Sequence, residues 1–210
     1  MSQDALVEVE NLHVNFPTDG KIVEAVRGIS FNISKGTTLG VVGESGSGKS
    51  VTSMSLLRLN DMAGAYIPEG KIFLNSQRIG RVDITAADEK IMGTVRGREI
   101  GMIFQEPMTC LNPVLSIRTQ LTEALFQHFN LSPKEADEKV LSLLRRVRIP
   151  DPESRLNQYP NNLSGGMRQR VMIAMSLACG PSLLIADEPT TALDVTIQAQ
   201  VLGLLRDLQK

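Results

Sequence analysis

Residues 43–50 read Gly-Glu-Ser-Gly-Ser-Gly-Lys-Ser. It fits the phosphate-binding pattern G-x-x-x-x-G-K-[ST] at every defined position. Glycines let the backbone bend tightly around a phosphate chain, so that successive N–H groups point toward the anion. The apolar run at residues 39–42 predicts a buried strand before the loop, and residues 50–59 predict a helix after it. This order favours a nucleotide site over an ordinary turn rich in glycine and serine.

Two side chains at the end of the loop predict its chemistry. Lys49 can reach the β- and γ-phosphates of a nucleotide. The hydroxyl of Ser50 is placed to ligate the Mg²⁺ that bridges the same two phosphates. The helix that follows would direct its positive end at the anion.

The composition indicates a globular protein of one domain, or of one domain with an inserted lobe. Of its 210 residues 42% are hydrophobic and 21% charged, and the net charge of −1 does not suggest a nucleic-acid-binding domain. No apolar run approaches the roughly 20 residues needed to span a bilayer, and no secretory signal is evident. A cytosolic location is therefore expected. Cys110 and Cys179 lack metal-ligand spacing and are predicted to be reduced thiols.

The segment before the loop predicts antiparallel strands. Apolar residues alternate through residues 7–16, with a change of phase near Asn11 that predicts a bulge or turn. After a turn at residues 17–20, residues 22–33 continue the β pattern. Phe16 ends the first alternating strand, and at this point both a core position and stacking on a base remain open for it.

Strands and helices alternate after the loop. Residues 70–74 and 100–104 predict strands, the second of which leaves Gln105 at its exit. Residues 117–148 are helical, with a capping box at Ser132 and Glu135. Residues 183–186 predict a strand buried on both faces, and a final helix follows residue 194. Strands separated by helices predict an α/β core with a largely parallel sheet.

Two acids follow the last predicted strand. Asp187 is placed to hold Mg²⁺ through water at the end of a buried strand. Glu188 is placed to orient or deprotonate a water that attacks the γ-phosphate. Upstream, Ser164-Gly165-Gly166 opens a helix with small residues and N–H groups that could bind a second anion; the alternative is an ordinary helix N-terminus.

The order of these motifs resembles that of the nucleotide-binding subunits of ABC transporters, over nearly the whole chain. The resemblance implies a Walker A loop at residues 43–50, a Q-loop at Gln105, a signature at residues 163–169 and a D-loop at residues 192–194. Asp187 resembles the Walker B aspartate and Glu188 the catalytic base. Phe16 lies where the family places an aromatic ring against adenine.

The resemblance assigns a full set of site residues. The catalytic residues it implies are Glu188, Gln105 and Lys49. The Mg²⁺ ligands it implies are Ser50, Gln105 and Asp187. The ATP-binding residues it implies are Phe16, Gly43, Ser45, Gly46, Ser47, Gly48, Lys49, Ser50, Ser164, Gly165, Gly166 and Asp194.

The fold class that follows is a P-loop NTPase core of α/β type with a largely parallel sheet. An antiparallel β subdomain at the N-terminus and an inserted helical subdomain complete it. The expected division of the single ATP-binding domain is residues 1–105 for the β subdomain and Walker A core, 106–162 for the helical subdomain, and 163–210 for the signature, Walker B and D-loop.

Residues 40–50 and 104–113, with Met167, resemble the dipeptide and oligopeptide permease ATPases. Relatives in that group import nickel or glutathione, so the cargo stays open. The implied partners are a second ATPase subunit, a copy or a paralogue, bound head to tail, together with transmembrane permease subunits. An extracytoplasmic substrate-binding protein would act indirectly, and no nucleic acid is expected. The implied location is the cytoplasmic face of the cell membrane.

The chain departs from the family after its final helix, where the family has a strand with a histidine that contacts the γ-phosphate. Neither His13 nor His128 substitutes for it by position. We therefore expect a shortened chain that leaves an edge of the Walker A strand unpaired and that binds nucleotide with weak or no hydrolysis. Two alternatives are an ABC ATPase acting on chromosomes or ribosomes and a regulatory module without turnover. The absence of sustained heptads and the single cassette oppose the first, and Glu188 opposes the second.

Overall fold

The computed structural model describes residues 5–18, 20–106, 110–191 and 195–209. Contacts divide the chain into two compact units, Met1–Val95 and Arg96–Lys210. The first unit carries the phosphate loop, whereas the second carries Gln105, the signature and the acid pair.

The first unit is built on an antiparallel sheet of four strands in the order β2-β1-β3-β4. Its strands are β1 (Ala5–Thr18), β2 (Lys21–Ser34), β3 (Lys71–Ser76) and β4 (Gly80–Asp83). Helix α1 (Lys49–Ser55), a short 3₁₀ helix (Leu59–Ala63) and helix α2 (Glu89–Thr94) complete it. The antiparallel β structure predicted at the N-terminus is therefore present.

The bulge predicted near Asn11 is confirmed. The register of β1 against β2 shifts between Val9 and Leu12, and Asn11 has a φ of 44°. The backbone N–H of Asn11 donates a hydrogen bond to the side-chain hydroxyl of Ser30, which compensates for the interrupted ladder. Val7, Val9, Leu12 and Val14 are all buried, so the bulge keeps the apolar residues on both sides of it inside.

The second unit joins a short parallel sheet to helices. Strand β5 (Ile100–Ile103) pairs in parallel with β6 (Leu183–Ala186). The helices are α3 (Ile117–His128), α4 (Pro133–Arg146), α5 (Pro152–Arg155), α6 (Gly165–Leu177) and α7 (Val195–Gln209), with a 3₁₀ turn at Pro160–Asn162.

One apolar core holds these helices together. Leu121 of α3, Leu144 of α4 and Ile173 of α6 are each fully buried in it, and Val201 of α7 belongs to the same cluster. Helix α4 begins at the predicted capping box, in which Ser132 and Glu135 each bind the other's backbone N–H. The helical spacing read from the sequence is thus confirmed by burial.

Two predictions about strands are wrong. Residues 39–42 form no strand, and Leu39, Val41 and Val42 are exposed, Val42 to 93%. An apolar run becomes a buried strand only if neighbouring strands pair with it, and none of the described strands pairs with these residues. Strand β6 is buried only at Ile185, since β5 alone pairs with it among the described strands.

The parallel sheet is accordingly smaller than the sequence predicts, with β5 and β6 its only strands in the described part of the chain. Neither cysteine forms a disulfide, as predicted. Among the described residues, no helix has both the length and the apolar character needed to cross a membrane.

Candidate functional site: the phosphate loop and the acid pair

The phosphate loop takes the tight turn that its glycines predict. Gly46 and Gly48 have φ values of 78° and 90°, in the left-handed region that favours glycine. A Cβ at Gly48 would lie 2.6 Å from the carbonyl oxygen of Ala25, so no larger residue fits there without a shift of the backbone. Helix α1 starts at the next residue, Lys49.

The side chain of Lys49 lies across the loop. Its Nζ donates hydrogen bonds to the carbonyl oxygens of Gly43 and Glu44, each at 2.8 Å. These two bonds join the end of the loop to its beginning and fix the Lys49 ammonium group beside the loop. A lysine held in this way carries a positive charge at the loop, where a phosphate group would meet it.

A buried polar network supports the loop from behind, and the sequence analysis missed it. The Thr52 hydroxyl donates to the carbonyl of Gly48 at 2.9 Å, and Ser55 donates to Val51 at 2.8 Å. Asn60 donates to both Val51 and Ser55. Thr52 and Ser55 lie three residues apart on the same face of α1, and this spacing could have predicted the network.

The acid pair follows β6 directly. Asp187 is 9% exposed, and its N–H donates to the carbonyl of Ile103 at 3.0 Å, which extends the parallel ladder by one bond. The next residue, Glu188, has a φ of 45°, so the chain turns sharply there. Asp187 is therefore directed inward while the Glu188 side chain is exposed.

Gln105 and Glu188 meet at the end of the two-stranded sheet. Parallel strands present their carboxyl ends at the same edge, and Gln105 follows β5 as Glu188 follows β6. The Nε2 of Gln105 donates to Oε2 of Glu188 at 2.9 Å, and the Thr191 hydroxyl donates to the same oxygen at 2.9 Å. Two donors thus fix the carboxylate predicted to act as the base.

The signature residues open helix α6. Ser164 is its N-cap, and its Oγ accepts a hydrogen bond from the N–H of Met167 at 3.3 Å. Ser164 and Gly165 are exposed, and a Cβ at Gly165 would meet no atom within 4 Å. Gly166 lies closer to α7, since a Cβ added at this position would lie 3.4 Å from Ile197. The exposed end of α6 is therefore accessible to a ligand or a partner.

Two glutamines to which the sequence analysis assigned no role of their own bind the segment after the acids. Gln169 of α6 donates from Nε2 to the carbonyl of Pro189 at 2.7 Å, and Gln198 of α7 donates to the carbonyl of Thr190 at 3.2 Å. Spacing alone could not reveal these contacts, because they join residues that only the tertiary fold brings together.

The other predicted site residues include Phe16 and Asp194. Phe16 lies on β1 opposite Val23 and is half-buried, so its ring is neither enclosed in the core nor fully exposed. Asp194 and the rest of the predicted D-loop lie outside the described residues.

The chain matches a known protein family. The family model described as ABC transporter matches residues 26–191. The chain belongs to the ABC transporter family. This finding confirms the resemblance read from the motifs.

Its relatives include ATP-binding proteins of peptide transport. The chain is 54% identical over 205 residues to the oligopeptide transport ATP-binding protein OppD of Bacillus subtilis (strain 168), matching 98% of this chain and 56% of the relative. It is 52% identical to the dipeptide transport ATP-binding protein DppD of the same strain (99% and 60%). It is 51% identical to the glutathione import ATP-binding protein GsiA of Pectobacterium atrosepticum (100% and 34%). The chain therefore spans less than two thirds of each of these relatives.

Solved structures agree with the fold class. A dimeric structure of MJ0796, a bacterial ABC transporter cassette, is matched at a TM-score of 0.82 and 27% identity, over 97% of this chain and 82% of that one. A dimeric post-hydrolysis state of the same cassette, bound to ADP and Pi, is matched at 0.81 and 27% identity, over 97% and 83%. The α/β, P-loop NTPase class is confirmed.

Proposed function

We propose that this chain is the ATP-binding and ATP-hydrolysing part of an ABC importer of dipeptides or oligopeptides. The observation that carries the proposal is the carboxylate of Glu188, held at the end of a parallel strand pair by Gln105 and Thr191. A base that takes a proton from water must be oriented before the reaction, and two donated hydrogen bonds orient this one. Peptide transport, named for the relatives, supplies the cargo class.

We assign the nucleotide to the loop. The backbone of Gly43, Ser45, Gly46, Ser47 and Gly48 would cradle the phosphates, and Lys49 would leave the two carbonyls it now binds to reach the β- and γ-phosphates. A lysine that already spans the loop needs only a small rearrangement for this exchange. The half-buried ring of Phe16 supports stacking against adenine.

Mg²⁺ fits the donor set. Ser50, Gln105 and Asp187 offer hydroxyl, amide and carboxylate oxygens, which are the ligand types that this ion prefers. Within the described residues, no group of three or more His, Cys, Asp or Glu side chains could hold a metal ion. Water and phosphate oxygens would complete the coordination of the ion. When bound, it neutralises charge that develops on the phosphates.

The assembly we propose is a head-to-tail pair of ATPase subunits. Ser164, Gly165 and Gly166 of one subunit would complete the site of the other, and Asp194 would lie near the shared boundary. The exposed N-terminus of α6 supports this role, because it presents N–H groups and carries no side chain at its two glycines. The dimeric cassettes that the fold matches support it as well.

The remaining partners follow from transport. Residues 106–162 would dock on transmembrane permease subunits at the cytoplasmic face of the membrane, and a substrate-binding protein outside the cell would deliver the cargo. Glutathione, named for one relative, stays the competing cargo. The division into residues 1–105, 106–162 and 163–210 remains a prediction.

ATP binding and hydrolysis by the chain test the proposal. We expect Lys49→Ala to abolish MgATP binding and Glu188→Gln to retain binding while losing turnover, about a hundredfold or more, as loss of a general base does. Lys35→Ala and Glu138→Gln are matched controls, since both side chains are exposed and lie outside the site. Turnover by the unaltered chain would support the proposed activity and contradict the weak or absent hydrolysis expected from the sequence. Binding without turnover would favour the nucleotide-holding alternative and would contradict the proposed activity.

A second arm tests the cargo. In source cells whose chromosomal copy carries Glu188→Gln, we expect uptake of a labelled dipeptide to fall, while cells carrying Glu10→Gln, at an exposed position of β1, transport normally. Competition between unlabelled peptides and glutathione then separates the two cargo classes. Unchanged peptide uptake together with lost glutathione uptake would reject the peptide assignment but not the ATPase.

A further inference from the structure

The turn between β6 and α7 has to be held in place by other parts of the fold. Glu188 occupies the left-handed region of backbone conformation, which a residue with a side chain adopts only under constraint. Pro189 follows, and it has no N–H with which to bind a neighbour. The position of the Glu188 carboxylate therefore depends on what binds the carbonyl groups of this turn.

Gln169 supplies one of these bonds. Its Nε2 donates to the carbonyl oxygen of Pro189 at 2.7 Å, and the side chain is 1% exposed. A buried amide cannot exchange a lost partner for bulk water, so the contact is obligatory for the fold around it. Gln198 of α7 donates to the next carbonyl, that of Thr190. Donors from two helices thus hold two successive carbonyls directly after Glu188.

The bond from Gln169 joins two parts of the site. Gln169 lies on α6, the helix whose N-cap is Ser164, and Pro189 is covalently attached to Glu188. A displacement of α6 is therefore transmitted to the turn that carries the carboxylate. Thr191, at the end of the same turn, donates to Oε2 of Glu188 and would move with it.

We propose that Gln169 is a positioning residue that sets the placement of the Glu188 carboxylate through the carbonyl of Pro189. This inference rests on the proposed function, since it assigns a role in ATP hydrolysis. Gln169 touches neither nucleotide nor water in this role. Its loss lowers turnover and leaves nucleotide affinity unchanged.

Gln169→Met tests the inference, because methionine has a similar length but cannot donate to the carbonyl. Gln120→Met is the matched control. Gln120 is also a buried helical glutamine, 4% exposed, and it donates to the carbonyls of Asn112 and Leu115, away from the acid pair. Both variants lose a buried amide, and Gln120 also accepts a hydrogen bond from the N–H of Asn112, so a general loss of stability would appear in the control as well.

We expect kcat of Gln169→Met to fall by about tenfold or more, because a misplaced catalytic group loses rate steeply. KM for ATP stays the same, and Gln120→Met keeps the kcat of the unaltered chain. An equal effect of the two substitutions, or an unchanged kcat in Gln169→Met, overturns the inference. Gln169→Leu, which is apolar and also lacks the donor, is measured in the same way and decides the matter if the methionine variant does not fold.

Amide hydrogen exchange separates this inference from the proposed function. The N–H of Thr191 donates within the turn, to the carbonyl of Glu188, and the N–H of Asp187 donates to the carbonyl of Ile103 in β5. We expect both to exchange faster in Gln169→Met than in Gln120→Met, in the absence of nucleotide. If the unaltered chain does not hydrolyse ATP, the proposed function fails while this measurement still tests the contact, and equal exchange in the two variants overturns it.

Discussion

Gly48 shows how a single residue decides the shape of the phosphate loop. Its φ of 90° belongs to a region that L-residues rarely adopt, and the space beside it is filled by the carbonyl oxygen of Ala25. Gly36 has a similar φ of 70° but would meet no atom within 4 Å if it carried a Cβ. A substitution at Gly36 therefore measures the free-energy cost of the left-handed backbone alone. A substitution at Gly48 adds the cost of the contact with Ala25.

We predict that Gly36→Ala lowers the free energy of unfolding by about 1–2 kcal/mol, the cost of a left-handed conformation for an L-residue. Gly48→Ala is expected to cost more, since the backbone must also move away from Ala25, and to weaken ATP binding. Urea denaturation gives the first quantity and a nucleotide titration the second. Equal losses of stability, with equal affinity for ATP, would contradict the role assigned to the contact.

Some residues of the site could be selected from the sequence and others could not. Lys49, Asp187 and Glu188 could be selected because their chemistry is tied to local patterns, a loop and the end of a strand. Gln169 carries no such pattern, although it lies in the signature. Its contact with Pro189 spans 20 residues of sequence and depends on how α6 packs beside the end of β6.

Helices and strands were predicted correctly where the pattern lies within the element itself, and less well where the element depends on contacts with residues far away in the sequence. The capping box of α4 was readable because Ser132 and Glu135 are three residues apart and satisfy each other. Whether residues 39–42 form a strand could not be predicted in the same way, because a buried strand must pair with neighbouring strands from other parts of the chain. The bulge at Asn11 belongs to the first class, because a change of phase in one strand is itself a local pattern.

Strand β1 also yields a pH prediction. Glu8 is 5% exposed and accepts hydrogen bonds from Asn75 at 2.7 Å and from Arg81 at 2.8 Å. The bond from Asn75, followed by the bond and the charge of Arg81, holds the pKa of Glu8 below its ordinary value of 4.5, although burial acts in the opposite direction. A lowered pKa in the folded state means that the carboxylate stabilises the fold above pH 4.5 and that this contribution is lost as the pH falls through the folded pKa.

We therefore expect Glu8→Gln to lower the free energy of unfolding by about 1–2 kcal/mol near neutral pH, because a charged, hydrogen-bonded acceptor is lost. The difference from the unaltered chain begins to shrink as the pH falls below 4.5 and is smallest once the pH has fallen through the lowered pKa of the folded state, where Glu8 is neutral. Urea denaturation at several pH values measures both effects. Glu10→Gln, at an exposed position of the same strand, is the control. A difference that does not change with pH would contradict the linkage.

For the whole molecule, the arrangement of motifs raises the question of which copy supplies each part of a site. Lys49 and Gly165 are both required if a phosphate loop faces a signature, whether within one chain or between two. In a head-to-tail pair, the loop of each copy faces the signature of the other. A chain with a defective loop and a chain with a defective signature can then form one intact site together.

Mixing two inactive variants distinguishes these arrangements. Lys49→Ala removes the phosphate-binding ammonium, and Gly165→Asp places a negative charge where the partner's nucleotide would lie. An aspartate suits the first turn of α6, and a Cβ at this exposed position has no atom within 4 Å, so the variant is expected to fold and to bind ATP. We predict that neither chain alone hydrolyses ATP and that an equal mixture does. A mixture of Lys49→Ala with the double variant Lys49→Ala/Gly165→Asp is the control, because no pairing of those chains contains an intact loop. An inactive mixture of the two single variants, from chains that each fold, would show that the loop and the signature do not act across two copies.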